Sequence, residues 1–205
     1  GWGVMNQTAL KEAASVAYPR EKIVGVWWSC AEQDTVPAAA AAEGYICAGF
    51  HSSGSDFPIV QDIIKHVYKK GKGNGPEPAI GTQMWNRGVA TAIVSVEGIR
   101  VAQGKYGKKP LTGEQVRWGI ENINLTPASI KAMGAEGLVP PLKVSCMDHE
   151  GGGPVKFSQW KGGKFVPITD WIETDQKIVR PMIEASAAQY AKEKGITPRD
   201  CSKEN

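Results

Sequence analysis

Asp148, His149 and Glu150 place an imidazole between two carboxylates on consecutive residues. These side-chain types bind metal ions and act as general bases, so this tripeptide is the first candidate for chemistry. Three consecutive residues of an extended chain cannot all point at one ion, and the sequence has no second His or Cys cluster at ligand spacing. The run Gly151–Gly153 indicates a tight turn instead. We therefore expect no metal site and no cofactor.

Tryptophan supplies the other side chains suited to chemistry, and the chain has seven. Trp27 and Trp28 are adjacent, Trp2 precedes the first predicted helix, and Trp85 begins a later one. Each indole offers a large apolar face and one N–H donor, which suits the enclosure of a small organic molecule. Neighbouring strand residues face opposite sides, so we expect either Trp27 or Trp28 to pack in the core and the other to reach a cleft.

Other functional classes lack support in the sequence. It has no nucleophile elbow, P-loop or G-x-G-x-x-G pattern, and Gly71–Gly75 does not match a phosphate cradle. The net charge of +3 comes from 24 basic and 21 acidic residues spread along the chain, so we expect no nucleic-acid partner. The longest uncharged apolar stretch, Val36–Ala42, is far shorter than the roughly 20 residues of a membrane span.

The four cysteines leave two interpretations open. Cys30, Cys47, Cys146 and Cys201 form no C-x-x-C pair. In an oxidising compartment they could form two disulfides in any of three connectivities, among which the sequence cannot choose. Alternatively, Cys30 and Cys47 are small buried residues with free thiols beside apolar strands.

The elements that must position these residues begin with a turn at Gly1, a helix over Thr8–Ala17 and a strand over Lys22–Ser29 that is buried on both faces. Turn, helix and strand are typical of the second half of a βαβ unit. We therefore expect the first strand, and any signal peptide, to be missing. An Ala-rich connection leads to a second strand over Gly44–Phe50.

A helical stretch follows, and strands then resume. Apolar spacing predicts helices near residues 59–67, over Gln83–Gln103, over Thr112–Asn122 with a capping box, and briefly after Thr126. The last part predicts a strand over Leu142–Met147, a hairpin pairing Val155–Trp160 with Phe165–Thr169, and a helix over Asp175–Lys194 whose regular part begins near Arg180 because of Pro181.

This order predicts two lobes. Residues 56–138 contain apolar helices without a predicted strand, so these helices must pack on a sheet from elsewhere. We expect residues 1–50 to form part of lobe II and residues 51–141 the helical part of lobe I. Residues 142–205 supply a hinge strand, the hairpin and a terminal helix that returns to lobe II. Phe50–Ser55 and Leu142–Gly153 would cross between the lobes.

The order of elements, the turn after Asp148 and the hairpin together resemble the C-terminal half of a type I periplasmic binding protein of the branched-chain amino-acid ABC transporter class. The resemblance covers essentially the whole chain. It implies an α/β fold with two Rossmann-like lobes joined by hinge strands, of which this chain carries the C-terminal part. It also implies a small ligand in the cleft between them.

The resemblance also implies positions for the ligand. An aromatic residue of the cleft falls near Trp2 and Gly3, and the carboxylate that pairs with an amino acid's ammonium group falls on Trp27, followed by Trp28 and Ser29. Burying an ammonium group without a charged partner costs several kcal/mol. We therefore expect a ligand without an α-amino group, an aromatic or aliphatic carboxylate, unless nearby Glu32 restores the charge.

His51 and Trp85 are the remaining candidates for ligand binding. His51 follows the first crossing segment, and Trp85 begins the long helix where the family's helical lobe faces the cleft. Core packing is the alternative for both.

The function that follows is capture, in the periplasm, of a small organic carboxylate or branched-chain amino acid by hinge closure. The ligand is then delivered to an ABC membrane permease. The partners expected are the ligand, the permease and a missing N-terminal half of the same protein. We expect no enzymatic activity. The alternatives are an α/β enzyme that uses the His149 region and the ligand-sensing domain of a receptor.

Overall fold

The computed structural model describes residues 2–203, within which the chain forms seven α-helices and six β-strands. The helices are α1 (Val4–Ser15), α2 (Glu32–Thr35), α3 (Pro58–His66), α4 (Gln83–Tyr106), α5 (Gly113–Ile120), α6 (Pro127–Ala132) and α7 (Gln176–Lys194). The strands are β1 (Val24–Gly25), β2 (Ile46–Gly49), β3 (Asn124–Leu125), β4 (Leu142–Lys143), β5 (Lys156–Lys161) and β6 (Lys164–Pro167). Gly1, where the predicted opening turn begins, and residues 204–205 of the last predicted segment lie outside the described residues.

Four strands form a mixed sheet in the order β1-β2-β5-β6, with β1 parallel to β2 and the other pairs antiparallel. The predicted hairpin is confirmed, with Trp160 opposite Phe165 and both side chains buried. Pro167 ends β6 at the sheet edge, where its missing N–H breaks no ladder.

The apolar face of this sheet closes one hydrophobic core. Helix α1 packs there through Leu10, and Gly25 of β1 leaves room for the buried ring of Tyr45, whose hydroxyl a Cβ at this position would overlap. The members of this sheet core are Leu10, Cys30, Ala38, Ala42, Tyr45, Cys47, Trp160 and Phe165.

The helices between the strands close a second core. Long helix α4 crosses α5 at two glycines, since a Cβ on Gly119 would overlap the carbonyl oxygen of Gly98. The members of this helical core are Val60, Val89, Ala90, Ile93, Ile123, Leu125, Ile130, Ala135, Leu138, Val139 and Val144. Apolar residues therefore sort into two separate clusters.

Most predicted helices are confirmed with small changes of boundary. The capping box at α5 forms as predicted, with Thr112 and Gln115 exchanging side-chain and backbone hydrogen bonds. Asp175 caps α7, and Gly195 ends it in the left-handed conformation. Pro181, however, lies inside α7, so the prediction that the regular helix begins near Arg180 is wrong.

The predicted strand over Lys22–Ser29 is largely wrong. Strand β1 has two residues, lies at the sheet edge, and leaves Val24 57% exposed. Trp27–Ser29 forms a 3-10 turn instead. The disulfide between Cys30 and Cys47 fastens the residue after this turn to β2.

Two further predictions about strands need correction. Residues 56–138 do contain a strand, β3, which pairs with β4 through Leu125 and Leu142 and is too short to show alternation in the sequence. Strand β4 also ends earlier than predicted, because the chain folds into a turn in which Ser145 and Asp148 exchange backbone hydrogen bonds. The Ala-rich connection after Cys30 is helical, comprising α2 and a 3-10 segment over Val36–Ala42.

Both disulfides pair cysteines that the sequence left unassigned: Cys30 with Cys47, and Cys146 with Cys201. The second disulfide fastens the segment beyond α7 to the turn after β4. Helix α7 itself buries none of its residues and contacts that turn through Arg180, which pairs with Asp148 and Glu150.

Candidate functional site

The segment that leaves β1 brings two indoles to the surface between the cores. The Ser29 N–H donates to the Val26 carbonyl at 2.8 Å, which closes the 3-10 turn. Because consecutive residues of such a turn do not alternate, the Trp27 and Trp28 rings stack with centroids 3.9 Å apart. The expectation that they face opposite sides is therefore wrong.

Trp2 extends this stack from another part of the chain. Its ring lies 4.9 Å from that of Trp28, and the two side chains are 51% and 44% exposed. Gly3 is held beside them, because its N–H donates to the Asp34 carboxylate at 2.8 Å. We refer to Trp2, Trp27 and Trp28 as the indole stack.

The carboxyl end of β2 adds two more rings. Phe50 meets Trp27 edge to face at 5.5 Å and adjoins His51 at 4.8 Å. His51 is 3% exposed, and burial, together with the nearby charge of Arg87, lowers its pKa to about 4. The imidazole is therefore neutral at pH 7.

Arg87 links this aromatic surface to helix α4. Its guanidinium carbon lies 4.8 Å from the Trp27 ring centroid and 5.8 Å from that of Phe50, within the range of cation–π contacts. Its Nη2 donates to the Trp27 carbonyl at 2.8 Å, and its Nε donates to His51 Nε2 at 3.4 Å. Burial lowers the pKa of Arg87, although an arginine remains charged at pH 7.

Glu32 makes a second link between the sheet side and α4. Its carboxylate accepts the Gln83 N–H at 2.9 Å, which places a negative charge at the helix N-terminus. Burial raises the pKa of Glu32, and this hydrogen bond opposes the rise. The Gln83 link uses a backbone N–H at the first residue of α4, and the Arg87 link uses a side chain one helical turn later.

An open cavity of about 540 Å³ lies next to Glu32. Its wall combines residues of β6, from the sheet side, with Ser53–Asp56 and Pro78–Thr82, which lead into the helical side. This volume is within the usual range for small-molecule pockets. The two cores therefore leave a gap between them beside the links to α4.

The remaining predicted residues lie in different surroundings. Ser29 is buried, and its carbonyl accepts hydrogen bonds from Asn6 and Tyr45, so its backbone fastens α1 to the sheet. Trp85 packs against the helical core and lines an open apolar groove of about 950 Å³ formed by α3, α4 and α6. No ring contact joins Trp85 to the indole stack among the described residues.

The residues around His149 form ion pairs. His149 is exposed and its Nε2 lies 3.2 Å from the Glu121 carboxylate, which also binds Arg117 and Arg199. The neighbouring carboxylates, Asp148 and Glu150, both bind Arg180. The three consecutive side chains thus serve two different clusters.

Sequence reasoning missed Phe50 and Arg87. Phe50 lies at the end of a predicted strand, and Arg87 is one polar residue in a helix that its apolar stripe predicts. No local signal selects Arg87, since the other link to α4, at Gln83, is made by a backbone N–H and does not depend on side-chain type. Nothing in the sequence indicates that Trp27 would be its partner.

Comparison with known proteins gives similarity to solved structures. No protein-family model and no curated protein matches the chain. A structure described as an ABC transporter permease, from the Pseudomonas fluorescens group, is 42% identical with a TM-score of 0.93. It matches over 98% of this chain and 48% of its own.

Two more distant structures extend the comparison. A branched-chain amino-acid ABC transporter protein from Thermus thermophilus, with bound valine, is 24% identical over 88% of this chain and 47% of its own, with a TM-score of 0.67. A solute-binding protein of an R. palustris ABC transporter, in complex with benzoate, is 15% identical over 85% of this chain and 43% of its own, with a TM-score of 0.54.

The chain spans about half the length of the structures it matches. The match includes both the mixed sheet and the helical part, because at least 85% of this chain is covered in each of the three structures. The chain thus has the α/β fold of type I periplasmic binding protein lobes, and the three matched structures are described as proteins of ABC transporters.

Proposed function

We propose that this chain belongs to the substrate-binding component of an ABC importer and captures a small organic ligand by closure of two lobes. The observation that carries the proposal is the aromatic surface between the two cores, where Trp27 and Phe50 from the sheet side meet Arg87 from α4. Aromatic faces supply affinity for an apolar ligand body, and a few polar groups supply specificity.

The candidate ligands are aromatic or aliphatic carboxylates and branched-chain amino acids. The neighbours' bound valine and benzoate are consistent with both kinds. We favour an acid without an α-amino group, because the Glu32 carboxylate already accepts the Gln83 N–H and burial disfavours its charged form. The candidate binding residues are now Trp2, Gly3, Trp27, Trp28 and His51, with Phe50 and Arg87 added. Ser29, which is buried, and Trp85, which lines the groove of α3, α4 and α6, are left out.

The proposed lobes follow the division made from the sequence. Residues 1–50 and the hairpin share the sheet core, and residues 51–141 supply most of the helical core, which supports two bodies that can move about the segments crossing near Ser52 and Leu142. Asn86 anchors the first crossing by donating to the carbonyls of Ser52 and Gly54, each at 2.9 Å. The return of α7 to lobe II stays a prediction.

We further propose that the apolar groove of α3, α4 and α6 packs on a β-sheet from the remaining half of the same protein. Val96 is 63% exposed on this surface, and the matched structures are about twice as long as this chain. A helical layer of this kind needs a sheet to cover its apolar stripe. The membrane permease is the second proposed protein partner.

A periplasmic location is supported by the two disulfides, since structural disulfides persist in oxidising compartments. A search of the described helices finds none long and apolar enough to cross a membrane.

Ligand binding is tested by calorimetry and thermal shift on the intact protein with benzoate, 3-methylbutanoate, L-valine and L-leucine. We expect saturable binding and a rise in Tm for at least one of these compounds, with the acids that lack an α-amino group bound more tightly. The compounds should be recovered unchanged. Absence of binding to all four, or their chemical conversion, would contradict the proposed function.

A further inference from the structure

Arg87 carries a charge that no carboxylate of residues 2–203 compensates by an ion pair. Of the five other arginines, Arg100, Arg117, Arg180 and Arg199 each bind a glutamate or aspartate, and Arg20 donates to backbone carbonyls. Arg87 instead contacts a backbone carbonyl, a neutral imidazole, a thioether and two aromatic rings. A partly buried cation among neutral groups attracts an anion.

The hydrogen bonds of Arg87 leave donors free for such an anion. A guanidinium has five N–H groups. Three are occupied: Nε by His51, one on Nη2 by the Trp27 carbonyl, and one on Nη1 by the weakly accepting Met84 sulfur at 3.3 Å. Among the hydrogen bonds made with residues 2–203, one N–H on each terminal nitrogen remains, and two such donors suit the two oxygens of a carboxylate.

The neighbours of Arg87 fix the position of its guanidinium and add no charge to it. His51 is buried and neutral, so it accepts from Nε without adding a second positive charge. The Trp27 carbonyl fixes Nη2 on the sheet side, while the Arg87 backbone belongs to α4. An anion bound at Arg87 would therefore lie where the sheet side and α4 meet, beside the indole stack.

We propose that Arg87 is the specificity-determining residue that binds the ligand's carboxylate, so that the site selects organic acids over neutral molecules of the same shape. This inference rests on the proposed function and adds Arg87 as the residue that distinguishes a charged ligand from a neutral one. The apolar part of the ligand packs on the exposed indoles of the stack, Trp2 and Trp28.

The test compares each acid with its amide, which has nearly the same shape and no charge. Binding of benzoate, benzamide, 3-methylbutanoate and 3-methylbutanamide to the intact protein is measured by calorimetry for wild type and for Arg87→Gln. Wild type should bind each acid at least about tenfold more tightly than its amide. Arg87→Gln should weaken acid binding about 10- to 100-fold and change amide binding less than about threefold.

Two further variants separate the ligand contact from general effects. Arg87→Lys keeps the charge and should give acid affinities between those of wild type and Arg87→Gln. Lys11→Gln removes one exposed positive charge from α1 and should leave the ratio of acid to amide affinity unchanged.

Several results would overturn the role of Arg87 alone: equal weakening of acids and amides in Arg87→Gln, unchanged acid binding in that variant, or equal weakening of acid binding in Lys11→Gln. Arg87→Lys binding acids no better than Arg87→Gln would overturn it as well. If wild type binds none of these acids and amides, and neither L-valine nor L-leucine, the proposed function fails together with this inference. Binding of L-valine or L-leucine alone would overturn this inference and leave the proposed function standing.

Discussion

Individual residues at the carboxyl end of β2 determine the electrostatics of the proposed cleft. His51 is buried beside Arg87 and must stay neutral, because a second positive charge there would face both desolvation and the guanidinium. The pKa of His51 in the folded chain, about 4, lies below the ordinary value of 6.5. Between these two pH values the unfolded chain therefore binds a proton that the folded chain does not bind. The stability contributed by neutral His51 is complete above pH 6.5 and is lost as the pH falls towards 4.

The expected size of this effect follows from the interval between the two pKa values. At about 1.4 kcal/mol per pH unit, wild type should lose about 3 kcal/mol more unfolding free energy than His51→Gln between pH 7 and pH 4. Urea unfolding of wild type and of His51→Gln at a series of pH values measures the loss of unfolding free energy in each. Parallel curves for wild type and His51→Gln would show that His51 titrates normally.

At the scale of elements, helices with capping signals and long apolar stripes were predictable from the sequence, as α4, α5 and α7 show. So was the hairpin, because a Gly-centred turn separates two alternating runs. The first strand was not. Its apolar residues before Ser29 fit a buried strand, but the disulfide of Cys30 with Cys47 and the ring of Tyr45 over Gly25 depend on contacts distant in sequence.

The same limit applies to the candidate site. Trp2 and Trp28 could be proposed from residue type, and the structure brings their rings together. The stacking of Trp27 on Trp28 depends on the 3-10 turn, and the position of Arg87 depends on how α4 meets β1 and β2. Neither relation has a local signal in the sequence.

The crossing of α4 and α5 provides a test at this scale. Gly119→Ala should destabilise the protein by about 1–3 kcal/mol, because the new Cβ would overlap the Gly98 carbonyl and lie 2.7 Å from Ala102 Cβ. Gly104→Ala is the matched control in α4. Its Cβ would meet nothing within 4 Å, so helix propensity should raise stability by about 0.5–1 kcal/mol. Urea unfolding measures the change in unfolding free energy for both variants, and equal changes would contradict the close crossing of α4 and α5.

The whole molecule combines two apolar cores with an aromatic surface between them. Contacts across this region include polar ones, such as those of Glu32 with Gln83 and of Arg87 with Trp27. Interfaces of this kind permit relative motion of the bodies they join. Under the proposed function, a ligand is enclosed by the movement of two preformed bodies, without refolding of either one.

A crystal structure of the intact protein with its most tightly bound acid from the calorimetric series tests this account most directly. We predict that the carboxylate lies within hydrogen-bond distance of Arg87 and that the apolar part of the ligand contacts Trp2 or Trp28. A ligand bound in the groove of α3, α4 and α6, or anywhere remote from Arg87 and the indole stack, would contradict the account.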